Sequence, residues 1–520
     1  MKKKYIIVWM IMAMIVSMAF PNFSVTAHWS DALKTTLIEN KILNNNDTLV
    51  VGSPVTENYF DQLLNRFEDL QTVVEPTATG LENITRMGAL KKIIDKLGYT
   101  YLASQQAVET SPFVDVTNNF AYVQLGLDFG IISMNTSQTF RPNEILKSEE
   151  AIAMLYHVDR LMNLTLSDLS TYYAISSYSQ IDFITDADNI IFGWSRLEYD
   201  DTSDRIYLNT TSLNDNEYRI PSGYQESITK ATDQTKYLMI SVISDYINAD
   251  TVTKSIVNNQ SYMTQATEAI VNELNKDAGT FGFDGVLIDF EGLKTETSAQ
   301  GLNSFLTTLK TQLNGNYKLS VAVHPVLDNN QQYYDGYDFK TIGEIADYVI
   351  LMAHDYYPKK LTQEDMASAI TITPVTPIDD VYTAIRGILD PITGVEDHSK
   401  VIFQLSMDSA QWKLKDGVIL NDRPFRPTFS AILSRINSGV VPQYSEDLKS
   451  SFIIFQDTVD GTRNVVWYED SRSVAAKINL ALEMGIDKIS VWRLGTIPNY
   501  EDEGAYLDVW KTIKSFDDIE

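Results

Sequence analysis

The sequence predicts an α/β fold: a (β/α)8 TIM barrel with a small α+β insertion between strands 7 and 8, preceded by an all-α region. Three observations predict it. Beyond about residue 169, eight short apolar runs alternate with amphipathic helical stretches, the pattern of successive βα units. One run, FGFDGVLIDFEGL at Phe281 to Leu293, ends in two carboxylates spaced two apart, at the strand end where such barrels carry their chemistry. Before residue 169, helical patterns alternate with short turn-rich joints.

At the amino end, MKKK, the apolar run YIIVWMIMAMIVSMAF and the small-residue stretch SVTA predict a signal peptide over residues 1–27, cleaved after Ala27. The alternative, an uncleaved anchor, needs a longer apolar run of ~20 residues. No later segment is long and apolar enough to span a membrane, so no membrane partner is expected after cleavage. The chain has no cysteine, so neither disulfides nor thiolate metal sites hold it, a habit that resembles secreted proteins of Gram-positive bacteria. Its formal charge of −28 grows more negative once Lys2, Lys3 and Lys4 leave, which argues against nucleic acid as a partner. The five histidines are scattered and no metal-binding or phosphate-cradling motif occurs, so neither metal nor cofactor is predicted. The NNND at Asn44 to Asp47 reads as a turn.

Within residues 28–168 one unit is clearest. It has an aromatic entry at Phe113, a helix around Ala121 to Phe129, a stop at Gly130, a Phe140-Arg141-Pro142-Asn143 turn, and a second helix opened by Ser148-Glu149-Glu150. This resembles a surface-layer homology (SLH) repeat. HWSDALKTTLIENKIL with SPVTENYFDQLL looks like a first copy, and ENITRMGALKKIIDKLG like half of another, giving three degenerate repeats. The resemblance implies a domain that packs as a unit and binds secondary cell-wall polysaccharide. Arg86, in ITRM, stands where that family places its basic ligand-binding residue, whereas the other two positions read VTEN and LKSEE. A helical accessory domain that only packs is the alternative.

The barrel, residues 169–520, has strands expected near Tyr172 to Ser177, Asn189 to Ser195, Tyr237 to Ser244, Phe283 to Glu291, Lys318 to His324, Tyr348 to Asp355, Val401 to Met407 and Lys488 to Trp492. The stretch from about 408 to 468 is too long for a plain loop and reads as a β-rich insertion walling one side of a cleft.

Along the fourth strand Gly285, Leu287, Asp289 and Glu291 share one side, and the Cα atoms of two such carboxylate residues stand about 7 Å apart. An acid at a strand end can simply cap a loop. The whole segment, however, resembles the DGxDxDxE signature of family 18 glycoside hydrolases, the chitinase-like enzymes. LMAHDYY resembles that family's MxYD, SVAVHP its fifth strand, and SVWRLG the eighth strand with its sugar-floor tryptophan. FGWS and VVWYEDSRSVAAKINLALEMGI look like its spore-germination and wall glucosaminidase branch.

The resemblance implies catalytic roles for Glu291, Asp289 and Asp355, in a mechanism where the substrate's own acetamido group is the nucleophile. Glu291 stands for the proton donor, Asp289 for the group that holds the acetamido N–H, and Asp355 for one that polarises it. Trp492 is expected to floor the sugar, and His354, in place of the family's tyrosine, to donate to the acetamido oxygen. Leu287 replaces the middle aspartate, which predicts an Asp289 that stays ionised. Tyr356, Trp194 and Gln404 either face the cleft as substrate-binding residues or pack. The function implied is a secreted, wall-associated hydrolase of N-acetylglucosamine glycans, peptidoglycan first and chitin second; a sugar-binding, non-catalytic wall protein is the rival from another class.

Overall fold

The computed structural model describes residues 28–67, 82–106, 108, 110–276, 278–326, 336–369, 371–501 and 504–517. The signal peptide expected at residues 1–27 lies outside them. Eight parallel strands close into a barrel: Asp168–Tyr173, Asn189–Asp200, Thr235–Val242, Gly285–Ile288, Lys318–Val323, Tyr348–Leu351, Val401–Ser406 and Lys488–Trp492. Each pairs with its sequence neighbours, and the first closes the ring against both the second (Thr171 beside Ile190) and the eighth (Thr171 beside Val491).

Alternation along each strand divides the apolar residues. Val286 and Ile288 point outward to the helices, while Leu287 joins Tyr172, Ile191, Met239, Ile350 and Met352 inside the barrel. Full burial of such a side chain stabilises by about 1.5–3 kcal/mol. Gly285 is required in the fourth strand because a Cβ there would come within 2.5 Å of the Lys318 carbonyl oxygen.

The first strand begins four residues earlier than the apolar pattern predicts. Its polar residues Asp168 and Ser170 join Asn189 at the end of the barrel opposite the carboxylates, where the Asn189 amide donates to both Asp168 oxygens at 2.7 and 2.8 Å. A strand that satisfies its polar groups inside the barrel reads as a linker in the sequence. The fourth and sixth strands are shorter than expected, and both carboxylate clusters lie just past their ends.

Between the seventh and eighth strands an antiparallel sheet of five strands runs from Ser409 to Tyr468, with a helix at Phe429–Asn437. Its core of Trp412, Leu414, Val465 and Trp467 also takes in Tyr357 and Leu361 from the loop after the sixth strand. The insertion is thereby packed directly onto the end of the barrel where the strands' carboxyl termini lie.

Residues 28–67 and 82–162 form six helices among the described residues. Three of them, Glu57–Leu64, Arg86–Lys96 and Ser148–Met162, start from three short extended segments that meet in a ring. Val55 N–H donates to the Leu146 carbonyl, Leu146 N–H to that of Ile84, and Ile84 N–H to that of Val55, at 3.0, 2.9 and 3.0 Å. A second ring serves the helix starts: the N–H groups of Glu57, Arg86 and Ser148 donate to the carbonyls of Glu82, Glu144 and Ser53, each at 2.9 Å. These donors have no partner within their own helices, so each segment completes its neighbour. Helix Phe120–Asp128 ends at Gly130, whose φ of 66° suits glycine. The NNND turn forms as expected, with Asp47 accepting from Asn44 N–H and paired to Arg66 at 2.6 Å.

The helical region meets the barrel through polar groups. Tyr99 donates to Glu483 at 2.5 Å, and Tyr382 donates to Asp128 at 2.6 Å with Arg386 beside it at 3.3 Å. Among the described residues no helix is long and apolar enough to cross a membrane.

Candidate active site

A cleft of about 330 Å³ opens at the carboxyl ends of the strands. Tyr172, Tyr218, Asp289, Glu291, His324, Met352, His354, Asp355, Lys359, Gln404 and Trp492 line it, so six of the eight barrel residues expected there are brought together. Asp289 and Glu291 follow the fourth strand directly, and the Asp289 N–H remains bonded to the Ile240 carbonyl of the third strand at 3.1 Å. That bond holds the carboxylate pair to the barrel after regular pairing has ended.

The two acids sit in opposite environments. The Asp289 carboxyl is buried and its Oδ1 has no hydrogen-bond partner. Burial, then the charge of Glu291, pushes its pKa well above the usual carboxylate range. The expectation that Asp289 stays ionised is therefore corrected: Leu287 takes away one neighbouring charge, but desolvation and Glu291 supply the shift without it. Glu291 stands at the mouth, its side chain 61% exposed, with His324 Nε2 at 3.6 Å. The His324 ring beside it draws its pKa down.

Asp355 is set by a chain of polar contacts. His354 Nε2 donates to Gln404 Oε1 at 2.7 Å, and the Gln404 amide donates to the Tyr172 hydroxyl at 2.7 Å. The other ring nitrogen of His354 faces Asp355 at 3.6 Å, and Ser406 donates to Asp355 at 3.2 Å. Burial works to lower the His354 pKa, yet Asp355, Gln404 and Glu291 raise it. Burial likewise opposes ionisation of Asp355, but His354 and Lys359 hold it down at about 2. His354 Nε2 is thus spent on Gln404, whereas the buried Nδ1 faces Asp355 and has no hydrogen-bond partner. Trp492 meets Tyr172 edge to face at 5.1 Å between ring centres, leaving an aromatic floor.

Two expected residues lie elsewhere. Trp194 is 2% exposed and packs among Phe192, Tyr224 and Phe281 outside the barrel. With Ile191 inward, strand alternation turns Gly193 inward and Trp194 outward, and a Cβ on Gly193 would stand 2.4 Å from that of Ala174. Tyr356 packs against the outer core and its N–H donates to the Val375 carbonyl at 2.9 Å. Inward parity for Met352, His354 and Tyr356 fails at Asp355, whose φ is 62°, a left-handed conformation that aspartate tolerates. Both His354 and Asp355 therefore face the cleft.

Tyr172, Tyr218, His324, Met352 and Lys359 are cleft residues that the sequence reading did not assign to the site. His324 carried a usable signal, a lone histidine closing an apolar strand. Tyr218 carried none, since it is placed by the buried Asn216, which accepts from its N–H and donates to its carbonyl oxygen, both at 2.9 Å. Among the described residues no group of three or more His, Cys, Asp or Glu is placed to hold a metal.

Arg86, the expected wall-polymer ligand, is 13% exposed, pairs with Glu150 at 2.6 Å and donates to the Phe140 carbonyl at 2.7 Å. Its guanidinium also lies 5.1 Å from the centre of the Phe140 ring.

Known proteins share this architecture. Cortical fragment-lytic enzymes of Bacillus anthracis and Bacillus subtilis (strain 168) are 27% and 25% identical over 237 and 276 residues, 43% and 52% of this chain and 49% and 59% of theirs. The chain thus spans about half the length of these curated relatives. The Bacillus cereus spore cortex-lytic enzyme SleL superposes with a TM-score of 0.53 at 18% identity, covering 69% of this chain and 75% of that one. A chitinase from Chromobacterium violaceum gives 0.51 at 19%, covering 66% and 98%. Both have this barrel fold. Because the profile of glycosyl hydrolases family 18 matches residues 170–496, the stretch from the first strand to just past the eighth that builds the cleft, the chain belongs to that family.

Proposed function

We propose that this protein hydrolyses β-linked N-acetylglucosamine glycans, peptidoglycan in particular, by a retaining, substrate-assisted mechanism. One observation carries the reading: the buried Asp289 carboxyl, its Oδ1 unpartnered, shares one cleft with Glu291 at the mouth. A buried acceptor without a partner costs free energy unless a ligand supplies a donor. The acetamido N–H of the sugar is such a donor.

In this reading the acetamido oxygen attacks the anomeric carbon as the bond to the leaving oxygen breaks, and Glu291 gives that oxygen its proton. Asp289 Oδ1 accepts the acetamido N–H and fixes the attacking oxygen. Glu291, now ionised, takes a proton from a water that opens the oxazolinium intermediate with net retention. Asp355, oriented by His354 and Ser406, polarises the same group, while Trp492 and Tyr172 receive the sugar face. The similarity to cortical fragment-lytic enzymes supports peptidoglycan as the polymer.

The same reading makes the protein secreted and wall-associated, with residues 28–168 holding it on secondary wall polysaccharide. There Arg86 shapes the segment from Phe140 to Glu150 through its ion pair.

Reducing-end release from purified peptidoglycan and from chitin tests the proposal, comparing wild type with Glu291→Gln. Removing a general acid lowers the rate by roughly 10²–10⁴-fold. Loss of cleavage in the variant supports the assignment, and the polymer cleaved by wild type names the substrate. A variant as active as wild type overturns the role of Glu291. Retained sugar binding with no cleavage by wild type overturns the hydrolase reading in favour of a sugar-binding wall protein.

A further inference from the structure

On one side of the cleft, where the insertion meets the barrel, two cations share one aromatic ring. Lys359, which lines the cleft, places its Nζ 3.7 Å from the centre of the Tyr357 ring. Arg426, on the insertion, brings its guanidinium carbon to 5.7 Å from the same centre. In a chain with a formal charge of −28, this pairing beside the active site is unusual.

The platform beneath them is rigid. Tyr357 is 2% exposed, belongs to the core of the insertion, and donates its hydroxyl to Asp408 at 2.7 Å. The cations themselves are accessible, with side chains 52% and 57% exposed. Their protein carboxylates are beyond hydrogen-bond distance: Lys359 stands 3.8 Å from Asp355, and Arg426 3.5 Å from Asp408. At these separations neither carboxylate takes up a hydrogen-bond donor of its cation, so the donors stay available. Arg426 spends one nitrogen, Nη2, on the Tyr357 hydroxyl, while its Nε and Nη1 donate to no described group. A planar guanidinium with an open edge is suited to a carboxylate, and an ammonium beside it adds charge without demanding direction.

We infer that Lys359 and Arg426 form a carboxylate-binding clamp beside the cleft, which makes the enzyme selective for glycans bearing acidic substituents over neutral ones. The inference rests on the proposed hydrolysis of peptidoglycan and specifies which feature of that polymer is read. Chitin carries no carboxylate. Muramyl residues carry one on the lactyl ether when it is unsubstituted, and others on the stem peptide when it is present. Both sources offer the same planar anion to the clamp.

The test measures glycan binding by the Glu291→Gln protein, so that recognition is read without turnover. The probes are soluble peptidoglycan chains with stem peptides intact, the same chains freed of peptide to expose the lactyl carboxylate, each of these after carbodiimide amidation, and chitohexaose as the neutral reference. The expected result is binding roughly ten-fold tighter to at least one acidic chain than to its amidated form, the size of a charge-assisted hydrogen bond. The arm that shows the preference names the source of the carboxylate. Arg426→Gln and Lys359→Gln each reduce the preference, and the double variant abolishes it. Both side chains are exposed, and circular dichroism confirms that the variants are folded.

Equal binding to acidic and amidated chains overturns the clamp. A preference that survives in the double variant also overturns it. Failure of the wild type to hydrolyse any glycan, with the carboxylate preference intact, removes the hydrolase reading and leaves the clamp standing. If no probe binds, both fall.

Discussion

The barrel mouth and the helical region both hold charged groups beneath the surface, but they treat them differently. In the helical region Arg86 is matched on every side, by the Glu150 carboxylate, the Phe140 carbonyl and the Phe140 ring. At the barrel mouth Asp289 is buried beside a like charge and keeps an oxygen without a partner. The first arrangement stabilises the fold, whereas the second costs stability and leaves a group ready for a ligand. A strand-end residue with an unmet hydrogen-bonding need is a better guide to chemistry than a charged residue in a familiar motif.

The strongest way to break this comparison is Asp289→Asn. In the proposed mechanism this removes the group that holds the acetamido, and kcat falls by about 10²–10³-fold. Stability moves the other way. The folded pKa of Asp289 is raised, so its carboxyl costs progressively more stability as pH climbs above its ordinary value of 3.8. Thermal melts are expected to show the Asn variant gaining on wild type between pH 4 and pH 7; a variant that melts lower at both would contradict the burial argument. Arg86→Ala gives the reverse pattern: the helical region loses about 1–3 kcal/mol as Glu150 and Phe140 lose a partner. Denaturant titration reads that loss, and cleavage of a soluble oligosaccharide by the barrel is expected to persist.

A smaller effect sharpens the site itself. His324 lowers the Glu291 pKa, so His324→Gln raises it, and the alkaline limb of the kcat/KM profile moves to higher pH because the general acid keeps its proton longer. An unmoved limb would separate His324 from proton transfer. The His354–Asp355 pair has a stability signature of its own. Asp355 is depressed to about 2 and His354 is raised, so their mutual stabilisation is complete between the ordinary aspartate and histidine values of 3.8 and 6.5. It is lost below that window as Asp355 protonates and above it as His354 loses its proton. Asp355→Asn is therefore expected to narrow the Tm difference between pH 5 and pH 8.

Much of this was legible in the residues. The barrel strands announce themselves because apolar runs on both faces leave little alternative, and the insertion read at about 408–468 is found from Ser409 to Tyr468. The first strand hid because Asp168 and Ser170 find partners inside the barrel. Tyr356 was misplaced because parity holds only while the backbone stays extended, and the left-handed turn at Asp355 ends that without a glycine to mark it. Trp194 differs: of the two readings, cleft-facing or packed, counting from Ile191 turns it outward and selects the second. The environment of Asp289 depends on how the loop after the fourth strand settles under Glu291, which no local pattern encodes.

The two backbone rings of the helical region have a consequence for biosynthesis. Of the three bonds in the inner ring, the one from Ile84 to Val55 needs only the first two segments, and the other two require Leu146. A nascent chain that has reached residue 100 holds the sequence for three of the helices but only one side of the triangle that joins them. Contacts between residues some sixty to ninety positions apart are slow to form compared with local helical ones. The ring can therefore close only late, when the third segment leaves the ribosome and joins the two waiting ones.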